Sequence, residues 1–138
     1  MALQAKQIYV NLPVKDLDAS VAFFSAVGFE FNPHFTDENA TCMIISDSIY
    51  VMLLVEPFFN SFTNKKIADT STVNEVIVAL SADSRGEVDE IVNRAMAAGA
   101  KPYNDPVDHG FMYTWSFKDP DGHLWEFMYM DPTAVPQE

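Results

Sequence analysis

Apolar positions along the chain fall into one pattern that occurs twice. Ile8 to Leu12 is an apolar, β-branched run closed by Pro13, and it reads as a strand. Leu17, Val21, Phe24 and Val27 then recur on one face of a helix, which Asp16 or Asp18 caps and Gly28 ends. Phe29 to Phe35 alternates weakly as a strand with His34 near its surface end, and Asp37-Glu38-Asn39 turns the chain. Thr41 to Ser46 and Ile49 to Val55 form a hairpin joined at Asp47-Ser48. From Val76 the order restarts with a strand to Leu80. The capping box Ser84-Arg85-Gly86-Glu87 opens a helix whose apolar face is Val88, Ile91, Val92, Ala95 and Met96, and Gly99 stops it. Lys101 to Val107, interrupted by Pro102 and Pro106, reads as an edge strand.

The last pair of strands is the most strongly patterned part of the chain. Phe111, Tyr113, Trp115 and Phe117 alternate before Asp119-Pro120-Asp121-Gly122, and Trp125, Phe127 and Tyr129 alternate after it. Asp at i, Pro at i+1 and Gly at i+3 are the chemistry of a type I turn. The aromatic residues of this pair serve a core or a subunit interface before they serve a stacking platform. Residues 131–138 read as a tail. Between the two halves, residues 57–72 form a long connection holding Phe58, Phe59 and Phe62, then Lys65 and Lys66. Three phenylalanines in a connection imply that it packs over a pocket or at a subunit interface.

Strand, helix and three strands therefore occur twice, and such duplication constrains the fold more than any single motif. Charge and composition narrow the rest. The chain has 138 residues, 49% of them hydrophobic, which suits one domain. Its 8 basic and 20 acidic residues give a net charge of −12, which opposes binding to nucleic acid. The longest apolar run, Ile49 to Val55, is far shorter than the ~20 residues of a membrane span. The N-terminal residues carry no secretory signal pattern, so the expected location is cytoplasmic. Cys42, the lone cysteine, excludes an internal disulfide and reads as a small buried hydrophobe, not a nucleophile.

One residue breaks the apolar pattern. Glu126 shares a strand face with Leu124 and Met128, and a carboxylate there costs free energy unless it is paired, protonated, solvated or bound. It is read in three ways: a structural acid hydrogen-bonded to Tyr9 or Asn11, a general base with a pKa raised by burial, or a group that orients a polar ligand. His109, in the tight turn Asp108-His109-Gly110, is a second acid/base candidate. His123 points opposite Glu126 and is expected to be half-exposed.

Two βαβββ modules in one short chain, the second ending in DPDGHLWE, resemble the glyoxalase/bleomycin resistance protein/extradiol dioxygenase superfamily, also called vicinal oxygen chelate proteins. The segments LPVKDLDASVAFFSAVGFEF (12–31) and FKDPDGHLWEF (117–127) carry the resemblance most strongly. It implies an α+β fold of two tandem modules, about 6–56 and 73–130, each half of a curled mixed sheet around a ligand cavity. It also implies a homodimer and, in many members, a divalent metal held by His, Glu or Gln. Carried over by position, those metal ligands fall on Tyr9, Ile77, Met52 or Leu54, and Glu126, of which only Glu126 matches. A shift of two residues would bring in Asn11 and Glu75, an oxygen-rich set with Glu126 suited to Mg²⁺ or Mn²⁺. The expected function is thus binding of a small organic molecule against Tyr9, Asn11, Met52, Leu54 and Glu126 without a complete metal site. The alternative is a lyase or isomerase like lactoylglutathione lyase, or a dioxygenase, acting next to a carbonyl with Glu126 as base. A subunit with a collapsed cavity that serves only as a dimer is a third.

Overall fold

The computed structural model describes residues 2–133, so the last five residues of the expected tail lie outside it. The chain divides into two compact units, one running through Ile67 and the other beginning at Ala68. Each unit has its own mixed sheet and its own long helix. The α+β class and the two βαβββ repeats expected from the sequence are both present.

In the first unit β1 (Ile8–Val14), α1 (Leu17–Val27), β2 (Glu30–Asn32), β3 (Ala40–Ile44) and β4 (Ile49–Val55) follow in order. The sheet order is β1-β4-β3-β2, with β1 parallel to β4 and the other pairs antiparallel. Asp16 caps α1, its side chain accepting from the Ala19 amide at 3.0 Å, an arrangement that contributes about 1 kcal/mol. Leu17, Ser20, Phe23, Phe24 and Val27 are the buried residues of α1, so Ser20 and Phe23 extend the expected stripe and Val21 sits at its margin. Leu12, Val14, Val51, Leu53 and Met43 bury the facing side of the sheet. Full burial of one such side chain stabilises by about 1.5–3 kcal/mol. Thr41, also fully buried there, satisfies its hydroxyl against Thr36 at 2.8 Å.

Three expectations for this unit are corrected. Pro13 does not close β1, which runs on to Val14; β1 is an edge strand, where a missing N–H costs no ladder bond. The strand expected over Phe29 to Phe35 is only Glu30–Asn32. Pro33 starts a single 3-10 turn through Phe35, with the Asn32 side chain accepting from the His34 amide at 3.0 Å. The connection after β4 opens with a short helix, α2 (Glu56–Asn60), which packs on β1 and β4.

The second unit repeats the order with one strand split in two. It comprises β5 (Ile77–Ser81), α3 (Arg85–Ala97), β6 (Lys101–Pro102), β7 (Val107–Asp108), β8 (Met112–Lys118) and β9 (Leu124–Met130). The order is β5-β9-β8-β6, with β7 also on β8, and β5 is parallel to β9. Pro102 and Pro106 break the expected edge strand into β6 and β7, as a missing donor at each would. Ser84 caps α3 by accepting from the Glu87 amide at 3.0 Å, while Glu87 reaches back to the Asp83 amide, one residue earlier than a reciprocal box requires. Val88, Val92 and Ala95 bury the helix face, and Trp125, Phe127 and Phe117 are buried with them.

The β8–β9 turn forms at Asp119–Gly122, where the sequence places it. Gly122 donates to the Asp119 carbonyl at 2.9 Å, closing the turn. Asp119 itself is 1% exposed and accepts from the amides of Asp121 and His123 and from Trp125 Nε1, all within 3.0 Å. Burial pushes the Asp119 carboxyl above its ordinary range, against the opposing pull of the His123 charge and these donors. His123, expected to be half-exposed, is 7% exposed, because the closed turn folds it under the same carboxylate.

Candidate functional site

In the first unit the face of the sheet away from α1 carries Tyr9, Asn11, Tyr50, Met52 and Leu54. Strand pairing sets Asn11 beside Met52, and Tyr9 beside Tyr50. The two tyrosine rings stack at 5.0 Å with 14° between their planes, and Tyr9 donates to Gln7 Oε1 at 2.9 Å. Asn11 Nδ2 donates to the Tyr9 carbonyl at 3.2 Å. Cys42 pairs with Met52 on β3 and is buried, and burial pushes its thiol pKa up, away from nucleophilic use.

At the far end of this face the chain after β4 turns back over the sheet. Pro57 stands in the first turn of α2, where its missing N–H costs nothing. The turn following α2 is held by Ser61, whose hydroxyl donates to the Phe58 carbonyl at 2.6 Å. Phe62 is thereby brought edge-on to Phe58, with ring centroids 5.0 Å apart. A pocket of about 390 Å³ results, lined by Asn11, Leu54, Phe59, Phe62 and Thr63. Of the residues expected to meet a ligand, Asn11 and Leu54 line it, whereas Tyr9 and Met52 lie on the same sheet face without lining it. Phe59, Phe62 and Thr63 were not legible as site residues; the three phenylalanines of the connection were the only signal.

In the second unit Glu126 occupies the expected face, away from Trp125 and Phe127. It pairs with Ala79 on β5 and with Ser116 on β8, so small side chains surround it on the ladder. Glu126 is half-buried, and within its own unit none of the described residues hydrogen-bonds or ion-pairs with it. His109 is exposed in the turn between β7 and β8, its ring tilted against Phe111. That turn is held by Arg85, which bonds Asp108 at 3.2 Å and the Gly110 carbonyl at 2.9 Å and lies over the Tyr129 ring. The Gly110 amide and the Arg85 guanidinium hold the Asp108 carboxyl below its usual range. By register this turn lies at the Tyr113–Tyr129 end of the ladder, not beside Glu126. Glu75 is exposed and precedes β5.

A family model described as "Glyoxalase/Bleomycin resistance protein/Dioxygenase superfamily" matches residues 6–127. The chain belongs to this superfamily. The hypothetical protein SA1046 from S. aureus is 28% identical, with a TM-score of 0.78 over 91% of this chain and 94% of that one. The bleomycin resistance determinant encoded on transposon Tn5 is 19% identical, with a TM-score of 0.66 over 92% of this chain and 99% of that one. A lactoylglutathione lyase from Agrobacterium tumefaciens is 20% identical, with a TM-score of 0.69 over 92% and 95%. These last two share the glyoxalase fold with this chain and speak to nothing finer. No curated protein matches the chain.

The metal that many glyoxalase-superfamily members hold does not fit the residues here. At the strand positions that the resemblance assigns to ligands stand Tyr9, Met52 or Leu54, Ile77 and Glu126: one carboxylate, one phenol already bonded to Gln7, and apolar side chains. Zn²⁺, Ni²⁺ or Fe²⁺ needs two or three strong protein ligands. Among the described residues no group of three His, Cys, Asp or Glu side chains is placed to hold a cation. No helix among them is long and apolar enough to cross a membrane.

Proposed function

We propose that this glyoxalase-fold protein binds a small organic molecule in the pocket of its first unit and does so without a tightly held metal. The observation that carries this reading is the pocket itself, three apolar walls and two neutral polar groups enclosing about 390 Å³. That volume falls at the lower end of the ~300–1,000 Å³ of ligand sites. The positions where the family's metal ligands would stand are filled by apolar side chains at Met52 and Ile77, which supports a binding role that needs no cation. A homodimer is part of the same reading, supported by Ile8 and Tyr9, each about half exposed on the edge strand β1.

Thermal shift against a panel of small carbonyl compounds and aromatic antibiotics tests the proposal. A ligand at a hundred times its Kd stabilises by about 2.7 kcal/mol. Asn11→Leu and Leu54→Trp are expected to remove the shift. Stoichiometric metal that survives dialysis against a chelator would refute the metal-free part.

A second reading has one observation in its favour. Glu126 is a half-buried carboxylate without a partner among the described residues of its own unit, which is how a general base for proton abstraction next to a carbonyl would stand. This lyase or isomerase reading requires Glu126→Gln to abolish solvent-deuterium exchange into a bound carbonyl compound while Asn11→Leu spares it.

A further inference from the structure

The polar groups of the first unit's pocket restrict the chemistry of what enters it; this inference rests on the reading of that pocket as the binding site. No charged side chain lines it. Asn11 uses one of its two amide hydrogens on the Tyr9 carbonyl at 3.2 Å, which orients the carboxamide and leaves one N–H and the oxygen Oδ1 for a ligand. Thr63 Oγ1 accepts from the Lys65 amide at 3.3 Å, so its hydroxyl hydrogen remains to be donated. The wall therefore offers an adjacent donor and acceptor on Asn11 and a further donor on Thr63, all uncharged.

An N–H and C=O placed side by side on a ligand match the two free groups of Asn11 with two parallel hydrogen bonds. A carboxylate fits differently. It has no hydrogen to give Oδ1, meets no cation in the wall, and enters a chain of net charge −12. Desolvating an ion under those conditions is unfavourable, because nothing replaces its hydration. Phe59 and Phe62 supply apolar faces for a ring, and Phe62, 70% exposed, stands at the rim.

We propose that this pocket selects neutral aromatic molecules bearing a carboxamide or lactam edge, through paired hydrogen bonds to Asn11, and discriminates against carboxylates of the same shape. Isothermal titration with 2-naphthamide and 2-naphthoate at neutral pH tests it. The amide is expected to bind about tenfold or more tightly than the acid, the size of an unmatched buried polar group. Asn11→Leu should erase that preference by weakening the amide alone. Phe62→Ala, at an exposed position that folding tolerates, should weaken both compounds and keep their ratio. Equal or tighter binding of the acid, weakened by Phe62→Ala, overturns the selectivity and leaves the pocket as the site. Binding of neither compound while other panel compounds bind in a Phe62-dependent way overturns it too. Binding indifferent to both Phe62→Ala and Leu54→Trp overturns the pocket reading itself.

Discussion

At the scale of single residues, the two acids with the most to explain behave oppositely. Asp119 is buried and fully engaged, with three donors converging on it. Glu126 is half-buried and has no partner among the described residues of its unit. Removing the Glu126 charge should therefore cost the fold little. We expect Glu126→Gln to unfold within about 0.5 kcal/mol of the parent protein in urea, the range of substitutions away from any network. A loss of several kcal/mol would instead reveal a buried charge pair. Tyr113 offers a pH test. Its hydroxyl donates to Asp89 at 2.5 Å, and this bond pushes its pKa up to about 12. Both folded and unfolded chains hold the neutral phenol below pH ~10, so the contribution is intact there. Above it the unfolded chain ionises first, and stability falls as pH rises toward the folded value. Ultraviolet titration should show one tyrosine ionising last, and Asp89→Asn should return it to the others; unchanged titration would contradict the bond. Trp125 and Glu126 were legible as opposite faces of one strand because period-two alternation is local. The burial of His123 was not, since it follows from the closure of a turn around Asp119.

At the scale of elements, the β8–β9 turn depends on Gly122 for two separate reasons. Its φ of +83° lies where side chains are strained, and a Cβ there would stand 2.5 Å from Thr70 Oγ1. Thr70 in turn donates to the Asp121 carbonyl, strapping residues before β5 across the turn. Gly122→Ala is expected to cost about 1–3 kcal/mol from backbone strain, and more from displacing Thr70. Pairing it with Thr70→Gly should recover only the steric part, and equal losses in both backgrounds would rule out the contact. Helix caps and stop glycines were readable in the sequence because they act within a few residues of themselves. The short helix α2 was not readable: it has no side-chain cap, and packing on β1 and β4 holds it. Phe59 and Phe62 were readable only as part of a connection that packs over a pocket or at an interface, because which side chains line the wall depends on how that connection folds back toward the distant Asn11.

At the scale of the whole molecule, the repeat decides the architecture and charge decides the conditions. Both units use the same strand order, so Asn11 beside Met52 in the first corresponds to Ala79 beside Glu126 in the second. The acid thus has a methionine as its counterpart in the duplicated half. A net charge of −12 opposes self-association, while Ile8 and Tyr9 on the edge strand favour it. Dimerisation should accordingly strengthen with added salt, as screening weakens the repulsion. Light scattering is expected to give the mass of two chains at physiological ionic strength and a lower average in dilute buffer. A single-chain mass under both conditions would discard the dimer.

The parallel pairing of the first strand of each unit with its last has a bearing on biosynthesis. As the chain leaves the ribosome, β1 waits for Val55 before its partner β4 is complete, and β5 waits for β9. Such distant pairings carry a large loop-closure entropy and slow the search for the native ladder. Until β9 emerges, the nascent second half presents β5 and β8 with their bonding groups open to other chains, and that interval is when chaperones would matter most.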